Sequence, residues 1–218
     1  MAEGTGISWA HNSHNFWMGC DKGDPGSAHC YIDRILERQG RAPWGEIYRT
    51  KTWNEPDKWD RRAEAERYVE RVFTCSMSDF FHAKADEWRT EAWAIIKRTP
   101  NLVWLVLTKR PERIHNHLPA DWGEGYPNVW LGVTVAWNGA FNKMDALRKI
   151  PIHPKAVRWI SAEPLLEDIS AEINLDGFGW VVAGGESGNG DEYLWTRRTV
   201  SGMLDGFNRT SQSSQFPA

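Results

Sequence analysis

The run Leu102-Val-Trp-Leu-Val-Leu107 is six apolar residues in a row, followed at once by Thr108-Lys-Arg-Pro111. A strand that is apolar on both faces has to be covered on both faces, which is the setting of a parallel strand between helices or inside a barrel. The form recurs in Val129-Trp-Leu-Gly-Val-Thr-Val135, Val157-Arg-Trp-Ile-Ser161 and Gly179-Trp-Val-Val-Ala183. Arg71-Val-Phe-Thr-Cys-Ser-Met77 is a further compact strand, and Ile7-Ser-Trp-Ala10 reads as a short first one. Glu46 to Trp53 alternates polar and apolar residues and is expected to be a strand as well.

Helical patterns fall between these runs. They cover about 30–40, Asp57 to about Tyr68 with Asn54 as N-cap, Asp86 to Arg98 with Pro100 as the stop, and stretches near 139–149 and 196–207. In the second of these, the face Lys58, Arg61 and Arg62 is expected to be solvated. Strand, polar end, helix, repeated six or seven times, predicts an α/β protein: a parallel (β/α) barrel that is partial or incompletely closed. The length of 218 residues suits one barrel domain over 1–208, with 209–218 as a polar tail.

In parallel barrels the working residues lie at the carboxyl ends of the strands, where the loops converge on one mouth. The residues at those ends are Cys75, Ser76, Ser78 and Asp79, then Thr108, Lys109 and Arg110, then Thr134 and Asn138, Ser161 and Glu163, and last Gly184 to Gly188. Lys109 and Arg110 suit a clamp on a phosphate or carboxylate, with Arg the bidentate partner, or else a rim salt bridge to Glu163 or Asp79.

Two of the three cysteines, Cys20 and Cys30, fall in the loop Gly19–Tyr31, which is broken by Gly23, Pro25 and Gly26. Thiolates on such a loop are soft ligands for zinc or iron. Cys20, His29 and Cys30 make one candidate zinc set; His11 and His14 are either extra ligands or hydrogen-bonding groups of a surface turn.

The net charge of −3 provides no basic field for avid non-specific nucleic-acid binding. Few cysteines, no apolar run of membrane-spanning length and no signal-like start predict a cytoplasmic protein with reduced thiols and no membrane partner. Fourteen tryptophans either pack between helices and sheet or stack on a ring-bearing substrate.

The spacing Gly19-Cys20, six residues, Ser27, two residues, Cys30-Tyr31 resembles the G-C, six residues, C-x-x-C-Y signature of a family of phage and prophage proteins. That family looks like a divergent branch of the radical SAM superfamily. The resemblance continues through Cys75-Ser-Met-Ser-Asp-Phe-Phe-His82, Leu107-Thr-Lys-Arg-Pro-Glu-Arg113, Asn128-Val-Trp-Leu-Gly-Val133, Ser161-Ala-Glu-Pro-Leu-Leu166 and Gly184-Gly-Glu-Ser-Gly188.

It implies a 4Fe-4S cluster on three cysteines, with the fourth iron left for S-adenosylmethionine, and a radical reaction on a small-molecule, nucleotide or nucleic-acid substrate. Here Ser27 stands where the family has its middle cysteine, so the expected metal set is Cys20, Ser27 and Cys30, with Cys75 a candidate for the vacated place. Gly184, Gly185, Glu186 and Ser187, with Ser76 and Ser78, are the expected cofactor contacts; Asp79, Lys109, Arg110 and Glu163 are the expected catalytic group. Two other readings remain open: a zinc-binding protein, and a phage protein without a cluster that binds a host target.

Overall fold

The computed structural model describes residues 5–28, 30–42 and 44–185. In chain order the strands β1 to β8 are Asn12–His14, Trp17–Met18, Tyr48–Arg49, Glu70–Thr74, Leu102–Thr108, Val129–Thr134, Arg158–Ala162 and Trp180–Ala183. Helices α1 to α4 are Ile32–Arg38, Pro56–Glu66, Asp86–Arg98 and Asn142–Arg148. Six strands form one sheet in the order β1-β4-β5-β6-β7-β8, every neighbouring pair parallel. This sheet curls into a half-barrel, so the partial (β/α) barrel expected from the strand pattern is the architecture found. The short antiparallel ribbon β2–β3 stands apart from it.

Alternation along the strands divides the core in two. Val72, Trp104, Val106, Leu131, Val133, Ile160 and Ala162 face outward and pack with Trp59 and Ala63 of α2, Ala92, Trp93, Ile95 and Ile96 of α3, and Met144 and Leu147 of α4. Phe73, Leu105 and Trp159 face the other way, into the concave side, with Trp9, Trp130 and Trp180 against them. There Trp9 sits 4.8 Å from Phe73 and 5.5 Å from Trp159, centroid to centroid, as a plug at the base of the sheet. The tryptophans at these positions therefore pack on one another or on helices, as the first of the two readings had it.

Several local expectations are corrected. Ile7 to Ala10 is no strand; Ala10 donates back to the Ile7 carbonyl in a turn, because Trp9 is used for packing, and the first strand is the polar run Asn12–His14. That run is buried because its polar groups are used: Asn12 bonds the Glu70 carboxylate, which is 1% exposed and held by Arg62 at 2.9 Å and Tyr68 at 2.6 Å. Arg62 is thus a partner of a buried carboxylate and not a solvated charge. Of Glu46 to Trp53 only Tyr48–Arg49 is strand. Helix α2 begins at Pro56 after Glu55, with no side-chain cap; the Asn54 carboxamide oxygen instead accepts from Arg98 at 3.1 Å. The expected helix near 196–207 lies outside the described residues.

His14 is not a surface group. It is 0% exposed, with rings of Phe16, Trp59 and Trp104 set edge-on around it and neither ring nitrogen hydrogen-bonded among the described residues. Burial lowers its pKa to about 3. A histidine depressed in the folded state stabilises the fold fully above its unfolded pKa, near 6.5, and that contribution is lost as pH falls toward the folded value. Unfolding free energy should therefore drop below pH 6.5 by on the order of 1 kcal/mol per pH unit. Urea titrations from pH 7 to 4 check this, and His14→Phe should flatten the slope.

Gly132 in β6 lies beneath the Trp159 indole, so that a Cβ there would come within 2.3 Å of Trp159 Cε2. Gly132→Ala should cost about 2 kcal/mol through forced repacking of the concave face, read as a lower urea midpoint.

Candidate functional site

Asp79 follows β4 and is 4% exposed. Its carboxylate accepts from the Thr108 hydroxyl at 2.7 Å, the Lys109 N–H at 2.8 Å and the Phe81 N–H at 2.8 Å, and pairs with Arg110 Nη1 at 3.1 Å. One buried carboxylate thereby locks the ends of two adjacent strands, as a buried charge must be fully bonded to be tolerated. Of the two rim partners expected for Arg110, Asp79 is the one found. The other face of Arg110 places Nη1 and Nη2 each 4.0 Å from Cys20 Sγ. Burial pushes the Cys20 thiol up, and Arg110 opposes the shift.

The loop that carries Cys20 is sewn to the end of β4. Gly19 N donates to the Met77 carbonyl at 3.0 Å, and the Ser78 hydroxyl donates to the Gly19 carbonyl at 2.6 Å. Gly19 has φ +99°, and a Cβ would lie 2.1 Å from the Glu46 carbonyl oxygen, so only glycine fits here. Ser76 is likewise engaged: its hydroxyl is bonded by Ser13 and Asn15, each at 3.0 Å, and its carbonyl accepts from the Tyr31 hydroxyl. Ser76 and Ser78 thus hold loops together at the rim. Beside them His82 Nε2 meets the Asp21 carboxylate at 2.9 Å.

Further along the loop, Ser27 is 8% exposed and its hydroxyl donates to the Asp24 carbonyl at 2.6 Å. Asp24 Oδ1 accepts from Gly26 N at 2.9 Å, and the same carboxylate is ion-paired with Lys143 of α4, both side chains nearly buried. Lys109 Nζ reaches under this turn, 3.5 Å from where a Cβ of Gly26 would be. Cys30 closes the loop; burial raises its thiol pKa, and Lys109 is among the charges that oppose this.

Glu163 follows β7. Burial holds its carboxyl above the usual range, against a hydrogen bond from Ser161. Gly184 follows β8 and leaves room for it, since a Cβ there would lie 2.6 Å from Glu163 Oε1. Gly185 is exposed. Thr134 is buried, and Asn138 keeps a buried carboxamide oxygen without a partner among the described residues. Glu186, Ser187 and His29 lie outside the described residues.

Cys75 does not join the other two cysteines. It has φ +55° and its side chain is in the helix-side core, where burial drives the thiol pKa up. A desolvated thiol in an apolar core is a small hydrophobe. Among the described residues no three His, Cys, Asp or Glu side chains gather closely enough to hold a metal ion. Asp24 and Lys143 are the site residues that sequence reasoning missed. Only the Asp24-Pro-Gly turn hinted at one of them.

The fold and rim define a parallel half-barrel protein with a cysteine-bearing loop over its mouth. The chain belongs to the family described as "Protein of unknown function (DUF5131)", whose model matches residues 4–198. No curated protein matches it. Its fold is similar to that of a spore photoproduct lyase cysteine-to-serine mutant, with TM-score 0.58 and 11% identity, over 96% of this chain and 75% of that one. A second mutant of that lyase, with bound AdoMet and dinucleoside spore photoproduct, gives TM-score 0.52 and 10% identity over 96% and 64%. No described helix is long and apolar enough to cross a membrane.

Removing the Asp79 charge should leave Arg110 and two strand ends unsatisfied. Asp79→Ala is expected to cost about 3 kcal/mol in urea unfolding. It should also speed labelling of Cys20 by a thiol reagent, since Arg110 loses its anchor.

Proposed function

We propose that this chain is a radical SAM-type half-barrel whose mouth receives S-adenosylmethionine or a nucleotide-like ligand. The observation that carries the reading is the contact of Cys20 with Arg110, and the placing of Lys109 under the Gly26 turn of the same loop, at the carboxyl ends of the strands of a fold shared with an AdoMet-bound lyase. Mixed apolar walls and a few buried polar groups are what a small-molecule site is made of. In the roles proposed, Lys109 draws the anionic end of the ligand, and Glu163, protonated more readily than an ordinary carboxyl, accepts or donates a proton at its carboxyl oxygen. Arg110 holds the Cys20 side of the rim in place through Asp79.

A 4Fe-4S cluster on three thiolates does not fit the residues present. The third position is Ser27, a neutral hydroxyl already given to the Asp24 carbonyl, and Cys75 is sealed in the helix-side core. Soft iron sites are built from thiolates, and this loop has two. Radical chemistry is therefore assigned to the restored loop and ligand binding to the chain as it stands.

Anaerobic reconstitution with iron and sulfide tests this. The natural chain should bind little iron and show no cluster absorption, whereas Ser27→Cys should take up a cluster and cleave S-adenosylmethionine to 5′-deoxyadenosine. A natural chain that assembles a full cluster contradicts the two-thiol reading. A Ser27→Cys chain that folds, takes up a cluster and leaves S-adenosylmethionine intact contradicts the radical SAM assignment.

A further inference from the structure

Among the described residues Arg110, Lys143 and Lys109 are cationic groups at the mouth, and they are not equivalent. Arg110 is committed to Asp79. Lys143 is committed to Asp24 and lies 4.8 Å over the Trp137 ring. Lys109 is half-buried and has no hydrogen bond or ion pair for its amine among the described residues; the amine lies under the Gly26 turn and feels Asp24, Lys143, Asp79 and Cys30. An ammonium drawn out of water is stabilised by an anion beside it, and the first charge that opposes the burial of Lys109 is Asp24.

The group nearest to filling that role belongs to the chain itself. The Asp24 carboxylate is 13% exposed, takes the Gly26 N–H at 2.9 Å and pairs with Lys143, which lies 119 residues further along the sequence. It is the ion pair that ties the cysteine loop to α4. An oxyanion held by a turn N–H and a lysine, with a second lysine near it, has the chemistry of a bound carboxylate or phosphate.

We propose that Lys109 and Lys143 form an anion subsite whose present occupant is the chain's own Asp24, and that a ligand carboxylate or phosphate exchanges with Asp24 and releases the loop Gly19–Tyr31 from α4. This rests on the reading of the mouth as a ligand site and adds to it the subsite and the device that closes it. Binding then has two linked consequences: the anion sits on the two lysines, and Cys30 becomes more open to solvent. The internal carboxylate lowers the apparent affinity of any ligand by the fraction of molecules in which the subsite is self-filled.

The test uses inorganic phosphate and succinate as probes, titrated calorimetrically into the natural chain of 218 residues and into Asp24→Asn. Removing the internal occupant should tighten at least one of the two probes by about tenfold or more. The probe that gains more identifies the ligand group as phosphate or carboxylate. Adding Lys143→Met or Lys109→Met to Asp24→Asn should abolish the gain. Equal affinities in the natural chain and Asp24→Asn overturn the proposal, as does a gain that survives loss of either lysine.

Should Asp24→Asn fail to fold, the natural chain alone decides. The probe should speed Cys30 labelling several-fold over chloride at equal ionic strength, and an unchanged rate overturns the exchange. S-adenosylmethionine that binds the natural chain and Asp24→Asn equally well overturns this subsite while leaving the broader reading of the mouth in place.

Discussion

The Asp79 carboxylate is the fixed point of the mouth. Four donors converge on it from its own loop and from the end of β5, and its ion pair with Arg110 sets the guanidinium that faces Cys20. A carboxylate this deeply buried is stable only when every lone pair is used, so the strand ends have little freedom around it. What lies further out, from the Ser78 bond to Gly19 to the docking of the whole cysteine loop, is positioned relative to that knot. The concave floor below it is rigid for another reason: Trp9, Trp159 and Trp180 fill it, and Gly132 lets one indole lie against the strand.

Above this frame the turn Asp24–Ser27 of the loop is internally bonded. The Ser27 hydroxyl and N–H both donate to the Asp24 carbonyl, the Asp24 carboxylate accepts from the Gly26 N–H, and Lys143 closes the outside. A loop meant to hold metal by thiolates alone would keep its ligands turned to a shared point. Here Cys20 faces the Arg110 guanidinium, and no three candidate ligands gather among the described residues. The fold is that of an AdoMet-binding neighbour, but identity near one in ten transfers the scaffold and not the chemistry.

The parallel sheet was legible because doubly buried strands have a strong signature: β5, β6, β7 and β8 fall within a residue or two of the apolar runs that predicted them. Helix α3 was legible to the residue from its apolar face and its proline stop. The first strand was missed because Asn12 and His14 are polar. Their burial depends on Glu70 and on a cage of aromatic rings, both contributed from far along the chain. The same limit governs the site. Asp79, Lys109, Arg110 and Glu163 could be read from their places after strands, whereas the Asp24–Lys143 pair joins positions that no local pattern connects. Cys75 misled because a strand end suggests a mouth-facing group; its positive φ turns the side chain into the helix-side core instead.

The central claim is that the half-barrel mouth, as it stands with two thiols, is a ligand site. Backbone and indole NMR of the iron-free natural chain, titrated with S-adenosylmethionine under reducing conditions, tests it most directly. The account predicts saturable shifts confined to the loop Gly19–Tyr31 and to the rim around Asp79, Lys109, Glu163 and Gly184, with the helix-side core unmoved. No saturable shift, or shifts centred on the outer helices, would contradict it.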